Sequence, residues 1–333
     1  AKEAHIAVID LDNSKYSHEI IDKLNASQYM KVTAVLNTPA EPKTLFYRDQ
    51  NVAVVYLPRD LEKNRYTADA GSIGVFYDNT NTAQTADIKS ALNELIAIDN
   101  QQAAGGAAQS GISLHERNLF NPAASTSNGE TQGFLFFFSS MFFTFATIGM
   151  IPRLRLSGKL DRILEQGNPF DLMVRIVPYG GCLLTALFVG MAILRIWGDM
   201  VFSGHVLTFL FTQFFYIFVL GMLSLLMGWT ASNPGIASSR MILFIPGGFI
   251  LGGPTGPIPV LSGWVQTLSH IFPLTWEFHL VRDIITRGAG LTDISREFGA
   301  FLLYIGFVAV LFCFVFYKAR ARRQRVQAEV MEG

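Results

Sequence analysis

Gly133–Ile151 reads GFLFFFSSMFFTFATIGMI, and Arg153–Gly167 reads RLRLSGKLDRILEQG. The first stretch carries no charge, and its 19 residues match the length that roughly 30 Å of hydrocarbon demands. This apolar run is expected to stop at Pro152 and open into an amphipathic segment. That segment gathers Arg153, Arg155, Lys159 and Arg162. Short cytoplasmic loops accumulate Lys and Arg, so this end is expected in the cytosol and the chain before Gly133 outside.

Half of the 333 residues are hydrophobic, 28 of them Phe, while charged residues make up 16%. A soluble protein has about 25% charged residues. Residues 1–132 carry a net −5 and residues 133–333 a net +5. The overall zero is a cancellation between two regions and gives no reason to expect a nucleic-acid partner. Both cysteines, Cys182 and Cys313, lie in apolar segments, so the N-terminal region has no disulfide framework. Asn25-Ala26-Ser27 forms a glycosylation triplet of a kind that chance often produces. The chain opens at Ala1 without a signal peptide, yet its first domain is expected outside. An upstream signal-anchor helix is the simplest exporter.

His5–Asp12 (HIAVIDLD) is expected as a buried strand ending in turn formers, followed by a helix to about Ala26. Lys31–Leu36, Asn51–Leu57, Ser72–Tyr77 and Ile112–Leu119 are further strands. Glu41–Gln50 and Thr82–Gln102 are expected helices, the latter with Ile88, Leu92, Leu95 and Ile96 at helical spacing. This alternation describes a mixed α/β layer domain.

Four more apolar segments follow Gly133–Ile151: Phe170–Trp197, Val206–Trp229, Met241–Pro257 and Phe298–Tyr317. Five crossings that start outside end inside, where Lys318, Arg320, Arg322, Arg323 and Arg325 form a basic tail. Arg282, Arg287 and Arg296 fall on the outer side against the charge rule, accompanied by Glu277, Asp283, Asp293 and Glu297. Trp264–Ile285, interrupted by Pro273 and charged, fits short re-entrant helices better than a span. The expected fold is a polytopic α-helical membrane protein with an N-terminal mixed α/β extracytoplasmic domain. That domain occupies 1–120, a connector 121–132 and the transmembrane region 133–333. The last contains a cytoplasmic amphipathic segment 152–169, an outer re-entrant segment 258–290 and a cytoplasmic tail 318–333.

Asp10-Leu11-Asp12 at a strand end is superficially like a phosphatase motif with one Asp as nucleophile, and Asp78-Asn79-Thr80 invites a similar comparison. Neither has the accompanying Lys and paired carboxylates, and turn and cap chemistry accounts for both. No P-loop, His-Glu-x-x-His or Cys-x-x-Cys occurs, which argues against nucleotide or metal chemistry in this chain. Leu156, Leu160, Ile163 and Leu164 oppose Lys159, Asp161, Arg162 and Glu165 around a helix. Such a helix either lies on anionic lipid or docks into a partner's groove. Arg195 and Asp199 are expected as snorkelling anchors at an outer helix end.

Several stretches in order carry a family likeness. Val8-Ile9-Asp10-Leu11-Asp12-Asn13-Ser14, Val55-Tyr56-Leu57-Pro58-Arg59-Asp60, Phe76-Tyr77-Asp78-Asn79 and Asn118-Leu119-Phe120-Asn121-Pro122 lie in the first domain. Pro246 to Phe249, Gly252-Gly253, Pro257, Trp264, Phe272-Pro273-Leu274-Thr275, Arg282 and Gly288-Ala289-Gly290 lie in the last third. Together they resemble the permease subunit of ABC-2-type ABC transporters, in the subgroup with a large extracytoplasmic domain after the first membrane helix. The resemblance covers nearly the whole chain and supplies a membrane helix before Ala1. Where the family has Glu-Arg-Glu-x-Gly-Thr, this chain has Leu154-Arg155-Leu156-Ser157-Gly158-Lys159, which keeps Gly158 but replaces both Glu and the Thr.

The resemblance implies a non-enzymatic efflux subunit in the bacterial inner membrane, working as a dimer with a second copy or paralogue. Cytosolic ABC ATPase subunits would hold the ATP and Mg, with no cofactor in this chain. A periplasmic membrane-fusion adaptor often accompanies the subgroup. Leu156, Gly158, Lys159, Leu160, Arg162 and Ile163 are the expected ATPase-coupling interface. Pro257, Trp264, Pro273, Thr275 and Arg282 mark the expected outer re-entrant region. The substrate class would be a drug, lipid or glycoconjugate. A competing expectation is an anchored receptor or adhesion/phage-receptor-like protein that transports nothing.

Overall fold

A computed structural model describes residues 3–65, 71–104, 111–254 and 263–332. The N-terminal strands are β1 (Ala4–Asp10), β2 (Met30–Leu36), β3 (Ala53–Leu57), β4 (Ser72–Asp78) and β5 (Ser113–Phe120). They form one sheet in the order β2-β1-β3-β4-β5, with β4 antiparallel to β3 and the other neighbours parallel. Helices α1 (Lys15–Asn25) and α3 (Thr82–Ala104) cover one face. There Ile20, Leu24, Ile88 and Leu92 pack on Ile6, Val8, Val55 and Tyr77. The opposite face carries Ala7, Ile9, Val54 and Phe120, packed against Phe46.

Phe46 belongs to the one N-terminal segment whose expected helix is absent. Glu41–Gln50 forms two 3-10 turns, Pro42–Leu45 and Tyr47–Asp49. Arg48 (φ 62°) and Asp49 (φ 54°) both adopt the left-handed conformation, through which a right-handed helix cannot continue.

The Asp10 carboxylate accepts bonds from the Asp12 and Asn13 amides and the Ser17 hydroxyl. Asp12 accepts from the Ser14 hydroxyl and from the Leu61 and Glu62 amides at the start of α2 (Leu61–Asn64). Both carboxylates are therefore engaged in turn and helix-cap bonds.

Among the described residues, five helices are long and apolar enough to cross a membrane: Glu130–Leu156, Pro169–Trp197, Val206–Trp229, Pro234–Leu251 and Leu291–Ala328. The protein is a polytopic helical membrane protein with an N-terminal α/β domain. The first span divides into α4 (Glu130–Ile148) and α5 (Met150–Leu156) at Gly149, not at Pro152. Pro152 sits in the first turn of α5, where its missing N–H is no loss.

After α6 (Lys159–Gln166) and α7 (Pro169–Val174), α8 (Val177–Trp197) runs back toward the sheet domain. At its end the Gly198 carbonyl accepts from Ser125 and the Asp199 carbonyl from Asn128. Helix α9 (Val206–Trp229) returns to the α5 end, where Arg155 donates to the Trp229 and Ala231 carbonyls.

The fourth span, α10, is Pro234–Leu251 and not Met241–Pro257. Asn233 caps it through the Ile236 amide, Pro234 occupies the first turn, and Gly253 beyond its end is left-handed. The fifth, α13 (Leu291–Glu332), begins before Phe298 and runs through the basic tail without a break.

Between α10 and α13 lie α11 (Gly263–Ser269) and α12 (Pro273–Val281), then a π turn, Arg282–Thr286. Pro257 and residues 258–262 of the expected re-entrant region fall outside the described residues. Broken backbone at membrane depth needs partners for its freed carbonyls. Here Thr275 donates to the Ser269 carbonyl (2.6 Å), Trp276 Nε1 to His270 (3.0 Å) and the Tyr304 hydroxyl to Ile271 (2.7 Å). Thr275→Val keeps the shape and removes one of the two bonds to the Ser269 carbonyl, leaving that from the Phe272 amide. It should cost about 1 kcal/mol, the net worth of one hydrogen bond, read as a lower unfolding temperature of the detergent-purified chain.

Candidate functional site

The α/β domain meets the helical bundle through a cluster of buried charges. The left-handed turn at Arg48 and Asp49 delivers both residues to the segment at the end of α12. Arg282, the C-cap of α12, bonds the Asp49 carboxylate and the Gly253 carbonyl. Arg287 lies 2.6 Å from Asp49 Oδ1, donates through Nε to Asp78 Oδ2 (3.1 Å) and through Nη1 to Asp283 Oδ1 (2.6 Å). The Arg48 amide donates to the other Asp283 oxygen at 2.9 Å. His279 Nδ1 stands 2.8 Å from Glu297 Oε1, and its Nε2 is 3.9 Å from Asp49. Asp49 and Arg287 are each only 1% exposed. Asp49 and Asp78 come from the sheet domain, both Arg from the bundle, so the cluster is an interdomain latch.

Arg282 was expected in the outer region, but neither Asp49 nor Asp78 was expected beside it. No local pattern marks Asp49, whose partner lies 233 residues downstream. Asp78 is the strand-end residue with the phosphatase-like look. Its carboxylate holds Arg287 and the Thr80 amide and hydroxyl.

A second buried carboxylate projects from α12 in another direction. Glu277 is wholly buried, and Gln213 Nε2 donates to its Oε1. Gln213 lies about 10 Å along α9 from Val206, two turns inside the span. Among the described residues, Glu277 Oε2 and Gln213 Oε1 have no hydrogen-bond partner. One turn further along α9, the Tyr216 hydroxyl meets that of Ser140 at 2.6 Å. An ionisable group at such a depth marks a functional position by default. Of the other expected outer residues, Pro273 opens α12, Thr275 holds the backbone break together, and Trp264 is 72% exposed on α11. Among the described residues no His, Cys, Asp and Glu cluster could hold a metal ion.

At the opposite end, Gly158 (φ 70°) turns the chain from α5 into α6. Leu160, Ile163 and Leu164 face inward and are buried. Leu156, Lys159 and Arg162 are exposed, so Leu160 and Ile163 support the surface without forming it. The tail of α13 clamps α6. Arg320 donates to the Leu164 and Gly167 carbonyls, and Arg323 pairs with Asp161 and Glu165.

Burial works against the Asp49 charge, but Arg282 and Arg287, then His279, outweigh it. They hold the carboxyl at about 2, below its ordinary 3.8. Because the folded value is the lower one, its contribution of about 2 kcal/mol is complete above the ordinary value and vanishes as pH falls from about 4 to about 2. Hydrogen exchange at Tyr47–Asp49 and Arg282–Thr286 should accelerate across that window. Asp49→Asn removes one partner of a buried network and should weaken the latch by about 3–5 kcal/mol at neutral pH. The same two segments should then exchange faster while α6 does not.

Residues 1–317 match the family described as ABC-2 family transporter protein. The chain is 24% identical over 303 residues to the probable multidrug ABC transporter permease YbhR of Escherichia coli strain K12. That match covers 86% of this chain and 79% of the relative, and the YbhR of E. coli O157:H7 matches equally. No solved structure matches significantly. With its five apolar helices, sheet domain and family match along nearly its whole length, this chain belongs to the ABC-2 transporter family as a membrane permease.

Proposed function

We propose that the chain is the permease subunit of an ATP-driven exporter, seated in a bacterial inner membrane with its sheet domain extracytoplasmic. Two copies, or one copy and a paralogue, would form the pathway, and cytosolic ABC ATPase subunits would hydrolyse ATP. The substrate would be hydrophobic or amphipathic: a drug, lipid or glycoconjugate. The name of the YbhR relative, a probable multidrug permease, supports that class. The transporter family favours this reading over an anchored receptor or adhesion protein.

The observation that carries the proposal is α6. Its apolar face is already packed against this chain, so Lys159 and Arg162, beside the exposed Leu156 at the end of α5, are what this elbow offers to a partner. Lateral burial in lipid would instead call for an apolar face left open. From α6 a continuous set of contacts leads to the sheet domain. Arg320 and Arg323 bind α6 to α13. Trp276 stacks on Phe301, and Glu297 meets His279, joining α13 to α12. Arg282 then joins α12 to Asp49.

The chain, reconstituted with the ATPase that co-purifies with it, should stimulate ATP turnover. Lys159→Glu with Arg162→Glu should lower that stimulation at least about tenfold, because reversed charges meet the partner's complementary field. Failure of any ATPase to co-purify, or unchanged stimulation in the double variant, would remove α6 from the mechanism. In intact cells a cysteine at Lys159 should resist an impermeant thiol reagent, and one at Lys31 should react.

A further inference from the structure

A cavity of about 490 Å³ lies where the sheet domain rests on the bundle. Drug-sized ligands occupy cavities of roughly 300–1,000 Å³. Its walls are Phe76, Leu119 and Phe120 on the sheet side and Val201 in the loop between α8 and α9. Phe76 pairs in register with Arg117, which places both on one face of the β4–β5 pair. The Pro42–Leu45 turn brings Lys43 to the same cavity.

The polar groups on this lining separate into engaged and free ones. Asn121 donates to the Asn79 and Ser125 carbonyls and accepts from the Ser125 amide and Asn128. Asn128 in turn accepts from the Val201 amide. Arg287 is committed to three carboxylates. The side chains of Lys43 and Arg117 have no ion-pair or hydrogen-bond partner among the described residues, and neither is buried. They outnumber Glu41, the only carboxylate lining the cavity among the described residues. The free polar capacity is cationic, and the walls are aromatic and aliphatic.

We propose that this cavity binds an anionic amphiphile: one carboxylate, sulfonate or phosphate between Lys43 and Arg117, with an apolar body against Phe76 and Phe120. The occupant touches Thr286 and Arg287 and so reaches the latch from the side. The proposal stands on the cavity alone and does not depend on which molecule the bundle moves. Location favours an amphiphile. The cavity adjoins the ends of the spanning helices, where molecules with a charged head and an apolar body concentrate.

The test uses the full chain in phosphatidylcholine nanodiscs and a diazirine-bearing dodecanoate, beside its trimethylammonium counterpart at equal membrane concentration. After illumination, peptides spanning 72–78 and 113–122 should carry the carboxylate probe at least about tenfold more than the cationic one, as expected for a site of one charge sign. Peptides of α8, whose outer surface is apolar, should carry both equally. Lys43→Glu with Arg117→Glu should abolish or invert the preference. Val201→Trp should remove the labelling with both cations intact, by filling the space. Equal labelling by the two probes, labelling confined to the spanning helices, or a preference unmoved by charge reversal would overturn the assignment.

Discussion

Two guanidinium groups buried between an aqueous domain and a membrane bundle set the terms for the rest of this structure. A buried charge is tolerated only with close counter-ions and saturated hydrogen bonds. Arg287, 1% exposed, obtains them from Asp49, Asp78 and Asp283, on three separate elements. The sheet must therefore present Asp78 at the end of β4 and Asp49 at a turn between β2 and β3. The bundle must end α12 where Arg282 and Arg287 reach them. The left-handed Arg48 and Asp49 follow from the same requirement, since a continuous helix over Glu41–Gln50 would not expose an amide and a carboxylate at one point.

This constraint also accounts for the concentration of charge at this end of the bundle. Arg282 and Arg287 do not face a loop; they are neutralised within the fold by carboxylates from distant segments. At the other end, Arg320 and Arg323 also serve as ties, but Lys159 and Arg162 remain exposed.

What the sequence made legible is what arises locally. The strands alternate or run apolar over five to eight residues, and the first three spans are long apolar runs, so these were readable to within a few residues, whereas the fifth span starts well before Phe298 and continues through the charged tail. Val206–Trp229 was read to the residue because polar residues bracket it. The start of α10 was misplaced because Arg240 and a polar Ser-Ser pair weaken the hydropathy of its first turns. Arg240 donates to the Met227 carbonyl and Thr230, which makes a charge in that position acceptable. The α5 break was assigned to Pro152 because proline is the louder signal, although a proline in a first helical turn breaks nothing. The latch was not legible at all. Asp49 and Asp78 are separated from Arg282 and Arg287 by more than 200 residues, and only the folded topology brings them together.

The latch and Glu277 meet on one short rigid body. Helix α12 has nine residues, and its flanking carbonyls are pinned by Thr275, Trp276 and Tyr304. Its C-terminal end holds His279 and Arg282 against Asp49, while Glu277, five residues before Arg282, reaches Gln213 inside the bundle. A helix of this length moves as a unit, because its backbone hydrogen bonds resist internal bending. Asp49 therefore cannot draw away with Arg282 without tilting α12 and changing the distance between Glu277 and Gln213. A tilt that parted Glu277 from Gln213 would leave both of its buried oxygens without a hydrogen bond among the described residues, which is costly. The break in the helix at Pro273 thus has a structural rationale: a full-length span would put the latch and Glu277 on an element too long to respond to one end alone.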